Sequence, residues 1–324
     1  MYTFDQLQEL FNESFDLSKI PLKPARLYDP IRYTLSHGGK RMRPLLVLMG
    51  CDLFKGDLNE AMNSAIAVEV FHNFTLLHDD IMDQSPIRRG VETVYKMWNT
   101  SVAILSGDTM FALAYDYISR SRPEMLPLIL PLFTQTAREV CEGQQIDMDF
   151  EDTDGVSIVE YIEMIRLKTA VLPAASLKLG ALFAGASDKD AALIYSFGQN
   201  IGLAFQLKDD LLDVYGDQDV FGKRTGNDIL TNKKTWLYLR ALEKAEGKEK
   251  ELLLYYYSRK NFDINEKVTE ITRIYDRLKI KEETEALMHA YYDKAMDDLD
   301  AISTPEERKY IIRDFALMLK VRNL

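Results

Sequence analysis

The sequence has no basic block, only two cysteines and no long apolar run. Its 324 residues carry a formal net charge of −11, and no basic block offsets the acids, which argues against non-specific nucleic-acid binding. The longest apolar stretches, such as LPLILPLF (126–133), are far shorter than the roughly 20 residues that a membrane-spanning helix needs. The N-terminal stretch MYTFDQLQELFNESF is acidic and amphipathic, unlike a signal peptide. We therefore expect no membrane span and no nucleic-acid partner.

Cysteine use points to a reducing environment. The two cysteines, Cys51 and Cys141, lie in helix-like sequence without the spacing of metal ligands. We predict two buried thiols rather than a disulfide, and a cytoplasmic location.

Alternating strand patterns are nearly absent, and helical periodicity dominates. Segments such as AMNSAIAVEVFHNFTLLHDDIMD and SVAILSGDTMFALAYDYIS place apolar residues three and four positions apart over long windows. Glycine and proline fall at turns, and no linker-like segment divides the chain. Although the length suggests about two domains, we predict one all-α domain spanning residues 1–324.

Two stretches place aspartates inside apolar helical sequence with the spacing DDxxD. These aspartates are Asp79, Asp80, Asp83, Asp209, Asp210 and Asp213. On a helix, the first and last aspartate of each motif lie about 40° apart and one turn along the axis, so both can reach one point. Because the motifs are 130 residues apart, we expect two helices that face each other across the cavity of a helical bundle.

Carboxylates gathered in this way require cations. Six of them facing one cavity would repel, and their pKa values would rise unless cations neutralised them. Mg²⁺ is the expected cation, since it binds through one or two carboxylates together with water and substrate phosphates. A single DDxxD motif is more often a solvated helix face, but two copies in apolar sequence favour a metal site.

Basic residues follow the glycine turns and the acidic clusters. The candidates are Lys40, Arg41, Arg43, Arg88, Arg89, Lys168, Lys223 and Lys233, with Thr169 beside Lys168. Guanidinium forks and ammonium groups beside magnesium match a diphosphate substrate. Any one of these residues could be an ordinary surface charge, but that reading does not explain the whole set.

In this order the motifs resemble those of the trans-isoprenyl diphosphate synthases, the polyprenyl synthetase family. The resemblance covers about residues 30–240 and rests on GGKRMRP, HNFTLLHDDIMDQSPIRRG, SGDTMF, EGQQIDMDF, KT, GLAFQLKDDLLDVYGD and FGKRTGNDILTNKKT. It implies a single large bundle of antiparallel helices around a central cavity, usually paired as a homodimer. The implied reaction is head-to-tail condensation of isopentenyl diphosphate with an allylic diphosphate (dimethylallyl, geranyl or farnesyl). Pro86 and Lys208 depart from the commonest residues of the family, but neither occupies a motif position.

The resemblance also implies residue roles. The six aspartates would bind about three Mg²⁺ ions that bridge the allylic diphosphate. The residues that would hold this diphosphate are Arg88, Lys168 and Lys223. Those that would hold isopentenyl diphosphate are Lys40, Arg43, His72 and Arg89. Thr169 and Gln206 would line the region where the allylic cation forms.

Product length should depend on residues one or two turns before Asp79, because the product grows away from the aspartates. The family's length-setting positions correspond to Thr75 and Phe74, whereas helix geometry alone favours Phe71, about 80° from Asp79. Bulky rings at these positions predict a short-chain enzyme that makes geranylgeranyl diphosphate, with farnesyl diphosphate as the alternative.

Other readings explain fewer of the residues. His37, His72 and the His78–Asp79 pair could suggest an HD-type phosphohydrolase, and Glu69 with His72 forms the ExxH pattern of di-iron bundles. A class I terpene cyclase shares the first aspartate motif but usually has a different second motif. A non-catalytic subunit of a heteromeric synthase tends to lose acidic motifs, and this chain has both.

Overall fold

The structure is a computed structural model that describes residues 1–37, 39–216, 225–258 and 263–321. Its α-helices are, in chain order, α1 (Phe4–Ser14), α2 (Ala25–Ser36), α3 (Met42–Leu53), α4 (Leu58–Met82), α5 (Val94–Met97), α6 (Thr100–Ser119), α7 (Leu126–Asp152), α8 (Ile158–Ile165), α9 (Val171–Phe183), α10 (Asp188–Tyr215), α11 (Asn227–Leu230), α12 (Trp236–Lys244), α13 (Gly247–Ser258), α14 (Ile264–Arg277), α15 (Ile280–Asp300) and α16 (Glu306–Val321). A short 3₁₀ helix (Leu17–Lys19) follows α1, and a π-helix (Arg166–Ala170) joins α8 to α9.

The predicted all-α class is confirmed for the described part of the chain. The strands found there are β1 (Ile87–Arg88) and β2 (Val91–Glu92), which pair antiparallel as a two-residue hairpin. Local sequence explains where several helices begin. Thr3 and Ser157 open α1 and α8 with capping boxes, and the side chains of Asp57 and Asn99 accept backbone N–H groups at the starts of α4 and α6.

The chain divides into two compact units. Unit 1 consists of Met1–Ala137, Ala175–Tyr195 and Ile302–Ile312. Unit 2 consists of Arg138–Ala174, Ser196–Ala301 and Arg313–Leu324. The prediction of one domain around a central cavity stays a prediction.

The core of unit 1 is built on α3 and α4. Every residue of α3 from Pro44 to Leu53 is buried, as expected for a helix that is apolar on all sides. Helix α4 packs against both α3 and α6. This packing fixes the C-terminal end of α4, which carries the first aspartate motif.

Two glycines let α3 pack closely against the helical residues 175–183 of unit 1. A Cβ on Gly50 would lie 2.2 Å from the carbonyl oxygen of Leu177, and one on Gly180 would lie 1.9 Å from that of Val47. These distances are too short for any side chain, so the helix crossing requires glycine at both positions.

Unit 2 has its own apolar core. It includes Tyr161 from α8, Leu207 and Leu211 from α10, Trp236 from α12 and Tyr275 from α14. The second aspartate motif belongs to the same stretch of α10 as Leu207 and Leu211. Burying these leucines therefore fixes the rotation of the helix that carries the motif.

The cysteine prediction is half right. Both cysteines are free, and Cys51 is buried, but Cys141 is exposed on α7. Helical periodicity did not resolve the outward-facing position of Cys141. In the described residues, no helix is both long and apolar enough to cross a membrane.

We predict that Gly180→Ala lowers the free energy of unfolding by at least about 2 kcal/mol, because the added methyl group meets backbone atoms that cannot move aside. Gly185→Asn is the matched control, since Gly185 has a φ of +72° and nothing near its missing Cβ, and asparagine tolerates that conformation. Urea unfolding of both variants measures the difference. Equal losses of stability would contradict the close helix crossing.

Candidate active site

The first aspartate cluster lies at the C-terminal end of α4. Asp79 and Asp80 are in its last turn, and Asp83 is the residue that caps the helix. The sequence predicted helix through Asp83, which is one residue too long. The C-terminal end of a helix carries partial negative charge, so carboxylates there are disfavoured unless cations compensate. Three aspartates at this position therefore indicate a binding function rather than helix stabilisation.

Arg88 from β1 holds two of these aspartates. Its Nε donates to Oδ1 of Asp80 at 2.6 Å, and its Nη2 donates to Oδ2 of Asp79 at 3.0 Å. Burial raises the pKa of Asp80 to about 6, although Arg88 acts in the opposite direction. The hairpin thus brings Arg88 back to the C-terminal end of α4.

Arg43 and His72 form a second basic pair in unit 1. Nη1 of Arg43 lies 2.9 Å from Nε2 of His72. Burial holds the pKa of His72 well below its usual value, and Arg43 and Arg89 lower it further. A neutral His72 accepts this hydrogen bond at Nε2, so its role is to orient the Arg43 guanidinium.

The remaining predicted basic residues of unit 1 separate into two groups. Arg89 donates to the carbonyl oxygen of His37 at 3.1 Å and lies against Gly39, while Lys40 is exposed. Arg41 instead stacks on Phe15, with its Cζ 4.8 Å from the ring centroid, and donates to Asn12 of α1. Arg41 therefore anchors the N-terminal helix and does not join the other basic residues.

A pocket in unit 1 brings several of these groups together. It is lined by Tyr33, Thr34, His37, Asn73, Leu76, Leu77, Asp80, Arg88, Arg89, Val91, Glu92, Thr93 and Val94. Sequence reasoning missed Asn73, whose Nδ2 donates to Oε1 of Glu69 at 2.9 Å. Both residues are buried. Their four-residue spacing on α4, upstream of the aspartates, was the available signal.

The predicted length-setting residues lie in an aromatic cluster of unit 1. Phe74 contacts His78 (ring centroids 4.8 Å apart) and Phe111 (5.2 Å), and Phe71 contacts Phe74 and Phe133 (both 5.6 Å). Phe71 is completely buried. The hydroxyl of Thr75 donates to the carbonyl oxygen of His72. Phe74 thus lies along α4 between the aspartates and Phe71, which is more deeply buried.

The second aspartate cluster also occupies the C-terminal end of a helix, α10. Both carboxylate oxygens of Asp210 are engaged: Tyr161 donates to Oδ2, and Nε2 of Gln206 donates to Oδ1 at 3.1 Å. Burial raises the pKa of Asp210 to about 8, and Asp228 raises it as well. Oε1 of Gln206 in turn accepts from the hydroxyl of Thr169 at 3.1 Å.

Asp213 and Asp228 extend this acidic cluster. The backbone N–H of Asp228 donates to Oδ2 of Asp213 at 2.9 Å. Burial raises the pKa of Asp213 to about 6, with a further contribution from the Asp228 carboxylate. Asp228 was not among the predicted residues, although it lies within the motif stretch TGNDIL.

Lys168 and Lys233 meet at Asp147. Nζ of Lys168 lies 2.5 Å from Oδ2 of Asp147, and Nζ of Lys233 lies 4.0 Å from the same oxygen. Burial would raise the pKa of Asp147, but Lys233 and Lys168 outweigh it and keep that pKa below its ordinary value. Asp147 therefore stays ionised and draws both ammonium groups to one point.

A π-helical turn presents Lys168 and Thr169. The π-helix Arg166–Ala170 interrupts the α-helical path between α8 and α9, and such turns are frequent at functional sites. Gly143 of α7 makes room for it, because a Cβ at Gly143 would lie 2.3 Å from the backbone nitrogen of Lys168. Lys223, also predicted to bind substrate, lies outside the described residues.

Magnesium fits both clusters by donor chemistry. Within the described ranges, no group of three or more His, Cys, Asp or Glu side chains could hold a metal ion by itself. Mg²⁺ does not need such a cage, because it binds through one or two carboxylates while water and phosphate oxygens complete its shell. Asp83 is exposed and Asp79 is partly exposed, so oxygen donors remain accessible. The aspartates thus suit a cation shared with a phosphate-bearing substrate.

The histidine arrangements do not match the alternative metal sites. His72 is bonded to Arg43, and Nε2 of His78 lies 3.2 Å from the carbonyl oxygen of Ile104. Glu69 is engaged by Asn73 rather than by His72. These contacts explain the ExxH pattern as hydrogen bonding within unit 1.

Comparisons with known proteins agree with the motifs. The polyprenyl synthetase family model matches residues 24–276. A geranylgeranyl diphosphate synthase of Methanosarcina mazei is 41% identical over 69% of each chain, and one of Sulfolobus acidocaldarius is 36% identical over 94% of each. The solved geranylgeranyl pyrophosphate synthetase of Pyrococcus horikoshii Ot3 superposes with a TM-score of 0.92 at 33% identity, covering 99% of this chain and 98% of that one. On this evidence of sequence and fold, the chain belongs to the polyprenyl synthetase family.

Proposed function

We propose that the protein is a magnesium-dependent prenyltransferase that condenses isopentenyl diphosphate with allylic diphosphates, with geranylgeranyl diphosphate as its main product. One observation carries the proposal: aspartates are concentrated at the C-terminal ends of α4 and α10, with Arg88 bonded to those of α4 and Lys168 held at Asp147 in the same unit as those of α10. The names of the relatives support the reaction and the product. We further propose a homodimer and one functional domain, as implied by the family.

The basic residues of unit 1 would bind the diphosphate groups of the substrates. Arg88 uses two of its five N–H groups on Asp79 and Asp80, which leaves donors for a diphosphate oxygen. Arg43, oriented by His72, and Arg89, held at the carbonyl of His37, would hold isopentenyl diphosphate together with Lys40. These guanidinium groups are fixed before substrate arrives, so little reorganisation energy is needed on binding.

The residues of unit 2 would act on the leaving group. Lys168 and Lys233, drawn together at Asp147, would stabilise the negative charge that develops on the allylic diphosphate, and Lys223 is proposed to assist them. The chemistry that Mg²⁺ supplies when bound by the aspartates is withdrawal of charge from the diphosphate oxygens. Thr169 and Gln206 would face the allylic carbon with their oxygen dipoles.

Bond changes then follow from charge separation. The allylic C–O bond breaks, and the double bond of isopentenyl diphosphate attacks the cation to form the new C–C bond. One proton leaves the adjacent carbon, and the released pyrophosphate accepts it. The aromatic cluster around Phe71 and Phe74 would receive the growing apolar chain.

The direct test is incubation of the purified protein with labelled isopentenyl diphosphate, an allylic diphosphate and Mg²⁺, followed by chromatography of the dephosphorylated products. We expect an alcohol of 20 carbons, that is, four isoprene units. A cyclised hydrocarbon would point to a terpene cyclase, and no elongation at all would point to a non-catalytic subunit.

We predict that Asp79→Ala or Asp209→Ala lowers kcat by about two orders of magnitude or more, because each removes an oxygen ligand of the cations that promote ionisation. Helical circular dichroism should be unchanged. The control is Asp116→Ala, an exposed aspartate of α6 outside the quoted motifs. A near-native rate of either motif variant in excess Mg²⁺ would refute the metal assignment.

We predict that Lys40→Ala and His72→Ala raise KM for isopentenyl diphosphate by about tenfold, with a smaller effect on KM for the allylic substrate. The reason is that Lys40 and Arg43, which His72 orients, are among the residues proposed to hold isopentenyl diphosphate. Steady-state kinetics with each substrate varied in turn measures the split. A parallel rise of both KM values would show that the division of the two diphosphates is wrong.

We predict that Phe74→Ala lengthens the main product by one or more isoprene units, because it removes a ring between the aspartates and Phe71. Phe71→Ala should act in the same direction. Phe197→Ala, which truncates an equally buried ring of unit 2, should leave product length unchanged. An unchanged profile in both Phe74 and Phe71 variants would place the length-setting residues on another helix.

A further inference from the structure

Three consecutive residues between α11 and α12 are each anchored to a different partner. The side chain of Asn232 accepts a hydrogen bond from Lys267. Nζ of Lys233 approaches Asp147, and Nζ of Lys234 donates to the carbonyl oxygen of Phe150 at 2.5 Å. Successive side chains of this loop therefore point to separate targets, and the hydrogen bonds of Asn232 and Lys234 hold its conformation.

Asn232 has a left-handed backbone, with a φ of 60°. This conformation is uncommon for residues with a Cβ, although asparagine is the residue type that tolerates it best after glycine. The turn reverses the chain so that the backbone N–H of Lys233 donates to the carbonyl oxygen of Asp228 at 2.8 Å. The direction taken by Lys233 thus depends on how Asn232 is held.

Lys267 of α14 is completely buried. Besides Asn232, its ammonium group has the ring of Tyr257 at 5.2 Å from the centroid, and burial lowers its pKa to about 8. Burying an ammonium group costs free energy unless its N–H groups find acceptors. The Asn232 side chain is one such acceptor, so the burial of Lys267 and the position of Asn232 depend on each other.

We infer that Lys267 is a positioning residue for the reaction: by holding Asn232 it fixes the loop that delivers the Lys233 ammonium group to Asp147, next to Lys168. This inference rests on the proposed function, because it assigns Lys233 to the same allylic diphosphate as Lys168. In this role Lys267 acts through Asn232 and not as a ligand of the substrate. Its effect is transmitted through two hydrogen bonds and one turn of the backbone.

The test compares Lys267→Met with Asn232→Gly. The first removes the donor and keeps the length of the side chain, and the second removes the acceptor while keeping a residue that adopts the left-handed conformation. We expect each to raise KM for the allylic diphosphate by about tenfold, with KM for isopentenyl diphosphate unchanged. Arg273→Met, at an exposed position of the same helix, should have wild-type kinetics.

A double-mutant cycle separates positioning from a general loss of structure. If Lys267 acts through Lys233, the Lys267→Met/Lys233→Ala double variant should have the same KM for the allylic diphosphate as Lys233→Ala alone. Multiplicative effects of the two substitutions, or an equal rise of both KM values in Lys267→Met, would overturn the inference. Asn232→Gly keeps the test decisive if Lys267→Met fails to fold.

A binding measurement keeps this inference separate from the proposed reaction. Calorimetric titration with inorganic pyrophosphate and Mg²⁺ should show about tenfold weaker binding for Lys267→Met and Asn232→Gly than for wild type and Arg273→Met. Equal affinities in all four proteins would overturn the positioning role. Absence of product from the wild-type protein, with these affinity differences intact, would contradict the proposed reaction alone.

Discussion

The structure depends on an unfavourable electrostatic arrangement: two long helices end in aspartates at the pole where the helix already carries partial negative charge. A helix designed for stability would have basic residues there. Arg88 offsets part of the charge on α4, and hydrogen bonds from Tyr161 and Gln206 offset part of it on α10. Burial, together with neighbouring carboxylates, still raises the pKa values of Asp80, Asp210 and Asp213. We propose that cations, and a substrate that brings its own phosphate oxygens, supply the remaining compensation.

The aspartates of the two helix ends are not equivalent. Asp83 is exposed, whereas Asp210 is buried with both oxygens engaged by protein donors. Asp210 therefore holds Tyr161, Gln206 and, through Gln206, Thr169 in place. The DDxxD pattern has the same residue type at each of these positions, so only the surrounding side chains distinguish their physical roles.

The sequence alone was sufficient for the helices and the aspartate motifs, since periodicity and spacing are properties of a single segment. It was insufficient wherever a role depends on a contact between distant segments. The role of Asp147 depends on its contacts with Lys168 and Lys233, and that of Lys267 depends on its hydrogen bond to Asn232. Arg41 looks like its neighbours Lys40 and Arg43 in the sequence, yet it stacks on Phe15. The exposure of Cys141 and the π-helical turn at Lys168 were missed for a different reason: a helical pattern does not report small changes in helical rotation.

We propose that these helix ends require a cation shared with a diphosphate group. The most direct measurement is the thermal unfolding temperature with Mg²⁺, pyrophosphate, both or neither, for wild type, Asp83→Asn and Asp209→Asn. We expect a rise in the unfolding temperature of wild type that is largest with Mg²⁺ and pyrophosphate together, and a clearly smaller rise in both variants. The same rise in all three proteins, or no rise in wild type, would contradict it.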